Sequence, residues 1–307
     1  CANNVAVPTG TVVYTPVLND RGGFESDLTV TRFAEDAFFI VTALGTGVRD
    51  FDFIRRRIPL DARATITDVT HGYAMLAVMG PNARNLLSEL TDADLSNAAF
   101  PFRTARQIDL GYARPWALRV TYVGELGWEL YIPTGFAVPV FDAIMEAGKK
   151  HGLSLVGMQA VNSLRMESGY RHWETEIGPE DTPYEAGLGF CVDLDKGDFT
   201  GREALMKQKE KGIARKLAIF TLDDPEPLLL RSEPIFRNGE HVSEIPSGAY
   251  AFKLGTAIGM GYLSRPGGIA DDWVLSGSYE IMVEGKKCPA RVHLKSPYDP
   301  KNQRPKL

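Results

Sequence analysis

The stretch Asn19-Asp20-Arg21-Gly22-Gly23-Phe24-Glu25-Ser26-Asp27-Leu28 decides how the first part of the chain is read. It sets a glycine pair and several acids between two apolar runs, Thr11–Leu18 and Leu28–Phe33, whose β-branched and aromatic content predicts strands. Two strands joined through Gly22-Gly23 form a hairpin. Asp27 then stands at the mouth of a sheet, where flanking strands fix a carboxylate that can meet a ligand. Most surface acids have no chemical role, so from the hairpin alone a solvated Asp27 is the commoner reading.

Outward from this hairpin, Ala37–Thr42 reads as a buried strand and Arg49–Arg57 as an amphipathic helix with a solvated arginine run. Thr65–Thr70 and Tyr73–Val78 read as further strands. Gly80–Leu87 reads as a helix with Pro81 in its first turn. Strands and helices alternate in a way that packs helices on sheets and excludes an all-helical or all-β first domain.

A second hairpin has a legible register. Trp116–Tyr122 and Trp128–Ile132 both alternate with period two around Val123-Gly124-Glu125-Leu126-Gly127. Trp128, Leu130 and Ile132 share one face, which leaves Glu129 on the other. Glu129 reads either as an exposed alternate position or as a carboxylate aimed into a cleft. Gly124 and Gly127 either admit a close approach or simply make turns.

Phe136–His151 carries Val140, Phe141, Ile144, Met145 and Ala147 at helical spacing and stops at Gly152. A second helix is predicted from Gly157 to about Tyr170, with Arg165 facing either a buried acid or solvent. Gly187 and Gly189 point to a close backbone approach near the cleft. A basic helix from Gly201 closes the first domain. From Ala214 onward short strands alternate with Gly, Pro and Asn, at Lys216–Thr221, Pro234–Phe236, Thr256–Leu263, Tyr279–Val283 and Cys288–Leu294, as in a small antiparallel sandwich or barrel.

Composition excludes several classes. The formal charge of −5 over 307 residues gives no basic footprint for nucleic acid. No apolar run reaches the roughly 18 residues of a membrane helix, so no membrane partner is expected. The three cysteines have no C-x-x-C spacing and the five histidines no H-x-x-x-H pair. Reduced thiols and no metal site are expected. Neither a G-x-G-x-x-G nor a G-x-x-x-x-G-K-[ST] device for FAD or ATP is present. The opening at Cys1 reads as the start of a cut-out or processed piece.

Taken together and in order, Asn19–Leu28, Met79-Gly80-Pro81, Tyr122–Glu129, Leu164-Arg165-Met166-Glu167 and Ser247-Gly248-Ala249-Tyr250 resemble the glycine-cleavage T-protein (aminomethyltransferase) family over nearly the whole chain. Asn162–Trp173 and Ala186–Phe190 are similar to the branch found in dimethylglycine and sarcosine dehydrogenases. One departure separates the branches: where the glycine-cleavage pattern A-R-D-[ST]-L-R has its first arginine, this chain has Val161.

The resemblance implies an α+β fold, with a T-protein-like folate-binding domain over residues 1–212 and an antiparallel β-barrel or sandwich over 213–307 closing on a tetrahydrofolate site. By motif matching, Asp27 stands where the family has its catalytic acid and Tyr14 where a tyrosine accompanies it. Tyr122 and Glu129 stand where the family stacks and hydrogen-bonds the pterin. The chemistry suits those residue types. A carboxylate accepts from adjacent pterin N–H donors, and an aromatic face suits a flat heterocycle.

The implied activity is capture of an N-methyl amino-acid-derived iminium or formaldehyde as 5,10-methylenetetrahydrofolate, with dimethylglycine or sarcosine as the parent amine. FAD is expected only on an upstream or separate flavin domain. The family's first strand and helix are expected to lie outside this sequence, and the compartment to be bacterial cytoplasm or mitochondrial matrix. A folate-dependent S- or O-demethylase and a non-catalytic regulatory module of the same fold are the alternatives.

Overall fold

In the computed structural model, which describes all 307 residues, the opening hairpin is β1 (Val12–Leu18) against β2 (Phe24–Arg32), widened by β3 (Phe38–Val41) into an antiparallel sheet of order β1-β2-β3. Asn19 organises the turn. Its Oδ1 accepts from the N–H groups of Arg21 and Gly23, both at 3.0 Å. A Cβ at Gly23 would lie 2.0 Å from the Pro179 carbonyl oxygen, so only glycine fits there. Because this capped turn is tight, pairing resumes at Phe24, earlier than the predicted Leu28. Asp27 therefore sits inside β2 opposite Pro16, not at the mouth of the sheet. Pro16 is tolerated because β1 is an edge strand.

After α1 (Gly47–Arg55), a second antiparallel sheet is built from β4 (Tyr73–Met79), β5 (Ala105–Gln107), β6 (Trp116–Leu118) and β7 (Gly127–Pro133), in the order β4-β7-β6-β5. As the alternation predicted, Trp128, Leu130 and Ile132 are all buried in one core, against Leu86 and Leu87 of α2 (Ala83–Leu87) and Val140 and Ile144 of α3 (Ala137–Gly148). Each such side chain contributes about 1.5–3 kcal/mol of burial. The opposite face of β7 carries Glu129 and Tyr131 toward the first sheet, where Val12 packs with Leu118 and Tyr131, flanked by Phe39 and Val41. The main-chain bonds Val12 N–H to Arg103 O (2.9 Å) and Ala105 N–H to Gly10 O (2.7 Å) stitch the two sheets together.

Four sequence expectations give way here. The strand read as buried over Ala37–Thr42 is the outer strand β3, with Phe38 and Ile40 exposed. Thr65–Thr70 is not a strand: it finds no pairing partner, lies largely exposed, and ends in an Asx turn in which Thr70 N–H donates to Asp68 Oδ1 at 2.9 Å. The strand from Trp116 stops at Leu118 instead of Tyr122. Val120 N–H turns back onto the Leu118 carbonyl at 3.0 Å and takes the chain out of the β7 ladder, while Arg119 keeps main-chain bonds to Arg103 and Thr104 and buries its guanidinium against the carbonyls of Phe100 (2.6 Å) and Leu307 (2.8 Å). Residues 119–126 thus form a loop. The helix predicted from Gly80 begins at Ala83, with Pro81 in the preceding turn.

The remaining first-half elements are α4 (Met158–Glu167), which ends before the predicted Tyr170, and α5 (Arg202–Lys211). The second half is one seven-stranded antiparallel sheet of β8 (Arg215–Leu222), β9 (Pro234–Arg237), β10 (Glu240–Glu244), β11 (Ser247–Ala251), β12 (Thr256–Ser264), β13 (Tyr279–Val283) and β14 (Lys286–His293), with α6 (Asp271–Leu275) before β13. Its order is β10-β9-β13-β14-β8-β12-β11. The sheet curls into a half-barrel because β12 carries Gly259 and Gly261 on its inner face. A Cβ at either would meet Ile245 at 2.9 Å or Ile235 at 2.5 Å. Met166 of α4 packs on Leu217, Ile219, Ile258 and Met260, seating the half-barrel against the first half.

The loop 119–126 approaches α4 closely at Gly124, whose φ is +73° and whose Cβ would fall 1.8 Å from Ser168 Oγ. Gly124→Ala is expected to cost more than about 1 kcal/mol, read as a lower urea midpoint at unchanged slope. An unaltered midpoint would contradict this packing.

Candidate functional site

Tyr14 and Asp27 are neighbours through register. Tyr14 pairs with Thr29 and Asp27 with Pro16, so both side chains project from the same face of adjacent strands. Tyr14 Oη donates to Asp27 Oδ2 at 3.0 Å. Burial pushes the Asp27 carboxyl above its ordinary value, the Tyr14 hydrogen bond opposes this, and the Asp50 carboxylate adds to the rise. Burial, with the Asp27 charge behind it, raises the Tyr14 phenol well above its ordinary value. Tyr14 therefore stays protonated and donating at neutral pH, and Asp27 is a stronger proton acceptor than a solvated aspartate. On the other face of β2, Asp50 Oδ2 accepts from Ser26 Oγ (2.8 Å), Thr46 Oγ1 (2.7 Å) and Thr42 Oγ1, which locks α1 under the strand.

Glu129 repeats this design on the facing sheet. Tyr131 Oη donates to Glu129 Oε2 at 2.8 Å, while Oε1 accepts from no protein group. Burial raises the Glu129 carboxyl against that hydrogen bond, and the Tyr131 phenol is raised chiefly by burial. Tyr122 lies on the loop between β6 and β7. Its Oη donates to the Arg171 carbonyl at 3.0 Å, its ring stacks with Tyr170 at a centroid distance of 6.2 Å, and burial pushes its phenol up to about 12.

Of the four residues singled out in the sequence, Tyr14 and Asp27 are in direct contact. Tyr122 is near enough for the Asp27 charge to raise its phenol. Glu129 bonds to none of the three. It faces them from β7, on the side where Tyr131 packs with Val12, two residues along β1 from Tyr14. Two enclosed carboxylates, each steadied by one tyrosine hydroxyl and with one oxygen left to accept, suit a flat heterocycle bearing N–H donors. Tyr122 adds an aromatic face.

Other buried polar groups around this space were not legible as a constellation. Arg165 Nη1 pairs with Glu176 Oε2 at 2.8 Å, their side chains 2% and 0% exposed. Arg165 also donates to Asn162 Oδ1 (2.9 Å), the Tyr170 carbonyl (3.0 Å) and Ser247 Oγ (2.9 Å). A helix-borne arginine was the only signal in sequence, since Glu176 lies in an irregular segment without periodicity. Cys191 Sγ is buried beside Tyr14, donates to the Leu188 carbonyl, and is pushed up to about 12 by burial.

Comparison with known proteins agrees with the motif resemblance and the fold. The profile of the GCVT N-terminal domain matches residues 1–196, and that of the glycine cleavage T-protein C-terminal barrel domain matches residues 215–299. Mitochondrial sarcosine dehydrogenase of Homo sapiens is 39% identical over 322 aligned residues, covering 99% of this chain and 35% of that protein. This chain thus spans about a third of that relative's length. Aminomethyltransferase of Halothermothrix orenii is 36% identical over 263 residues, covering 85% of this chain and 72% of that protein. The solved glycine cleavage system aminomethyltransferase T from Bartonella henselae superposes with a TM-score of 0.80 at 25% identity, over 94% of this chain and 76% of that one.

The raised Asp27 carboxyl fixes a pH dependence. Between the ordinary carboxylate range and the raised folded value the native state holds more protons than the unfolded chain, so this group's contribution to stability falls as pH rises. Asp27→Asn removes that penalty. The variant is expected to melt above the parent at neutral pH, with the difference vanishing below about pH 4. A variant less stable at pH 7 would contradict the desolvation of Asp27.

Proposed function

Taking as premise that this chain belongs to the glycine-cleavage T-protein family, we propose that it is a tetrahydrofolate-dependent one-carbon transfer domain of a flavin-linked, demethylating dehydrogenase. The observation that carries this is a pair of acids on two sheet faces that pack together through Val12 and Tyr131, Asp27 held by Tyr14 and Glu129 held by Tyr131, with Tyr122 on the loop between β6 and β7. The folate-binding unit spans residues 1–212 and the closing half-barrel 213–307. Supporting that division, α5 stops at Gly212, whose φ is +80°.

When bound, tetrahydrofolate supplies the nucleophilic nitrogens that take up the carbon as 5,10-methylenetetrahydrofolate. Glu129 would accept from the pterin N–H edge through its open Oε1, and Tyr122 would offer its ring to the heterocycle. Asp27 would pass protons from the folate N–H groups to the amine nitrogen, which would leave as the demethylated ammonium when its C–N bond breaks, and its negative charge would favour the cationic iminium of sarcosine or dimethylglycine demethylation. Tyr14 fixes the orientation of that carboxylate. Holding the reactants together lets capture outrun release of formaldehyde into water, an effect of positioning more than of acid strength.

FAD belongs to an upstream or separate flavin domain on this reading, since no dinucleotide-binding device occurs in these residues. The test pairs this chain with tetrahydrofolate and a flavin-linked N-methyl amino-acid dehydrogenase as iminium source. Asp27→Asn is expected to keep folate binding and to slow 5,10-methylenetetrahydrofolate formation by about 10²–10⁴-fold. Normal capture by Asp27→Asn would refute the assignment. Methyl- in place of methylene-tetrahydrofolate would select an S- or O-demethylase, and no folate binding by the parent chain a regulatory module.

A further inference from the structure

Three partly or fully buried arginines meet where the first half of the chain abuts the half-barrel, and two of them have carboxylate partners. Arg165 pairs with Glu176, and Arg215 with Asp181. Arg171 has none. Its Nε donates to the Ala186 carbonyl at 2.9 Å and its Nη1 to the Gly169 carbonyl, while Nη2 donates to no protein group. Burial lowers the Arg171 pKa from its ordinary value. The residue is part-buried and its Nη2 has no protein partner, so this cation is free to take an anion through a charge-assisted hydrogen bond.

The position of this cation connects it to the candidate site. Tyr122 Oη bonds the Arg171 carbonyl. The guanidinium lies against Gly187, where a Cβ would fall 2.9 Å from Nη2 at a φ of +70°, so the glycine is what admits it. Gly187 sits between Ala186 and Leu188, members of the cluster on which Tyr14 packs. Arg171 and the Tyr14–Asp27 pair therefore share one wall, one carrying an unpaired positive charge and the other an acid.

We infer that Arg171 is a subsite for the carboxylate of a small amino-acid-derived ligand, the open Nη2 taking the carboxylate while Asp27 faces the cationic nitrogen end. This rests on the one-carbon-transfer reading of the Tyr14–Asp27 site. Two opposite charges on one wall match a zwitterion or a carboxylated iminium, and a guanidinium is suited to hold a carboxylate through charge-assisted hydrogen bonds. The glutamyl tail of a folate carries the same chemistry. It extends away from the pterin nitrogens, whereas Arg171 lies beside the acid assigned to them.

The test uses ligand-observed NMR on the full chain with N,N-dimethylglycine and with its methyl ester, which keeps the amine and removes the carboxylate charge. The parent should bind the acid about tenfold or more tightly than the ester. Arg171→Gln should abolish that preference, Arg171→Lys should restore part of it, and both should retain the parent's melting temperature to within a few degrees. Equal preference in parent and Arg171→Gln would overturn the subsite. So would an Arg171→Gln loss confined to tetrahydrofolate with tetrahydropteroate unaffected, which assigns the arginine to the glutamyl tail. If the parent discriminates acid from ester but binds no folate, the subsite stands and the folate reading fails.

Discussion

The buried ion pair between Arg165 and Glu176 is the constraint on which the site depends. Arg165 leaves the last turn of α4 and reaches Glu176, the Tyr170 carbonyl and Ser247 of β11. Glu176 Oε2 also accepts the His172 N–H at 2.7 Å, and Tyr262 of β12 donates to the Glu176 carbonyl at 2.8 Å. One pair thus fixes a helix, an irregular segment and two strands of the half-barrel. A buried pair of this kind adds little net stability over an apolar substitute, yet removing one partner costs about 3–5 kcal/mol because a charge is stranded. Its value here lies in geometry: it sets the path of residues 170–177, which carry Arg171 and His172 to the Tyr14–Asp27 wall.

Within that frame the electrostatics of the site are set by enclosure. Asp27, Glu129, Tyr14 and Tyr122 are all displaced from their ordinary titration in the first place by burial, and the hydrogen bonds act as corrections. Each acid keeps one oxygen on a tyrosine hydroxyl and so keeps one orientation. On the proposed reading, Glu129 binds an uncharged donor edge and Asp27 stabilises positive charge, two tasks one carboxylate type performs in different surroundings. Arg171 supplies the opposite sign on the same wall.

Much of the fold was legible because it rests on local periodicity. Trp128, Leu130 and Ile132 show their buried face in the sequence, and Thr11–Leu18 shows its strand. Thr65–Thr70 has equal strand character but no backbone to pair with, which a single sequence does not reveal. β5 and β10 are too short or too polar to stand out, and the strand from Trp116 ends at a turn of Val120 onto the Leu118 carbonyl that the alternation does not announce. Asp27 and Glu129 were found by motif resemblance, while pattern alone left both open to a solvated reading. Tyr131 as the partner of Glu129 follows from period two, but Glu176, Arg171 and Cys191 meet the site only through long-range folding, and no spacing encodes them.

The central claim is that Glu129 and Tyr122 hold a pterin between two sheets beside Asp27. Calorimetric titration of tetrahydrofolate into this chain and into Glu129→Ala tests it most directly. The account predicts saturable binding by the parent and a loss of roughly tenfold or more in the variant, the worth of hydrogen bonds to a charged group. Equal affinity in the two proteins would contradict it, because Glu129 of β7 would then have no part in binding.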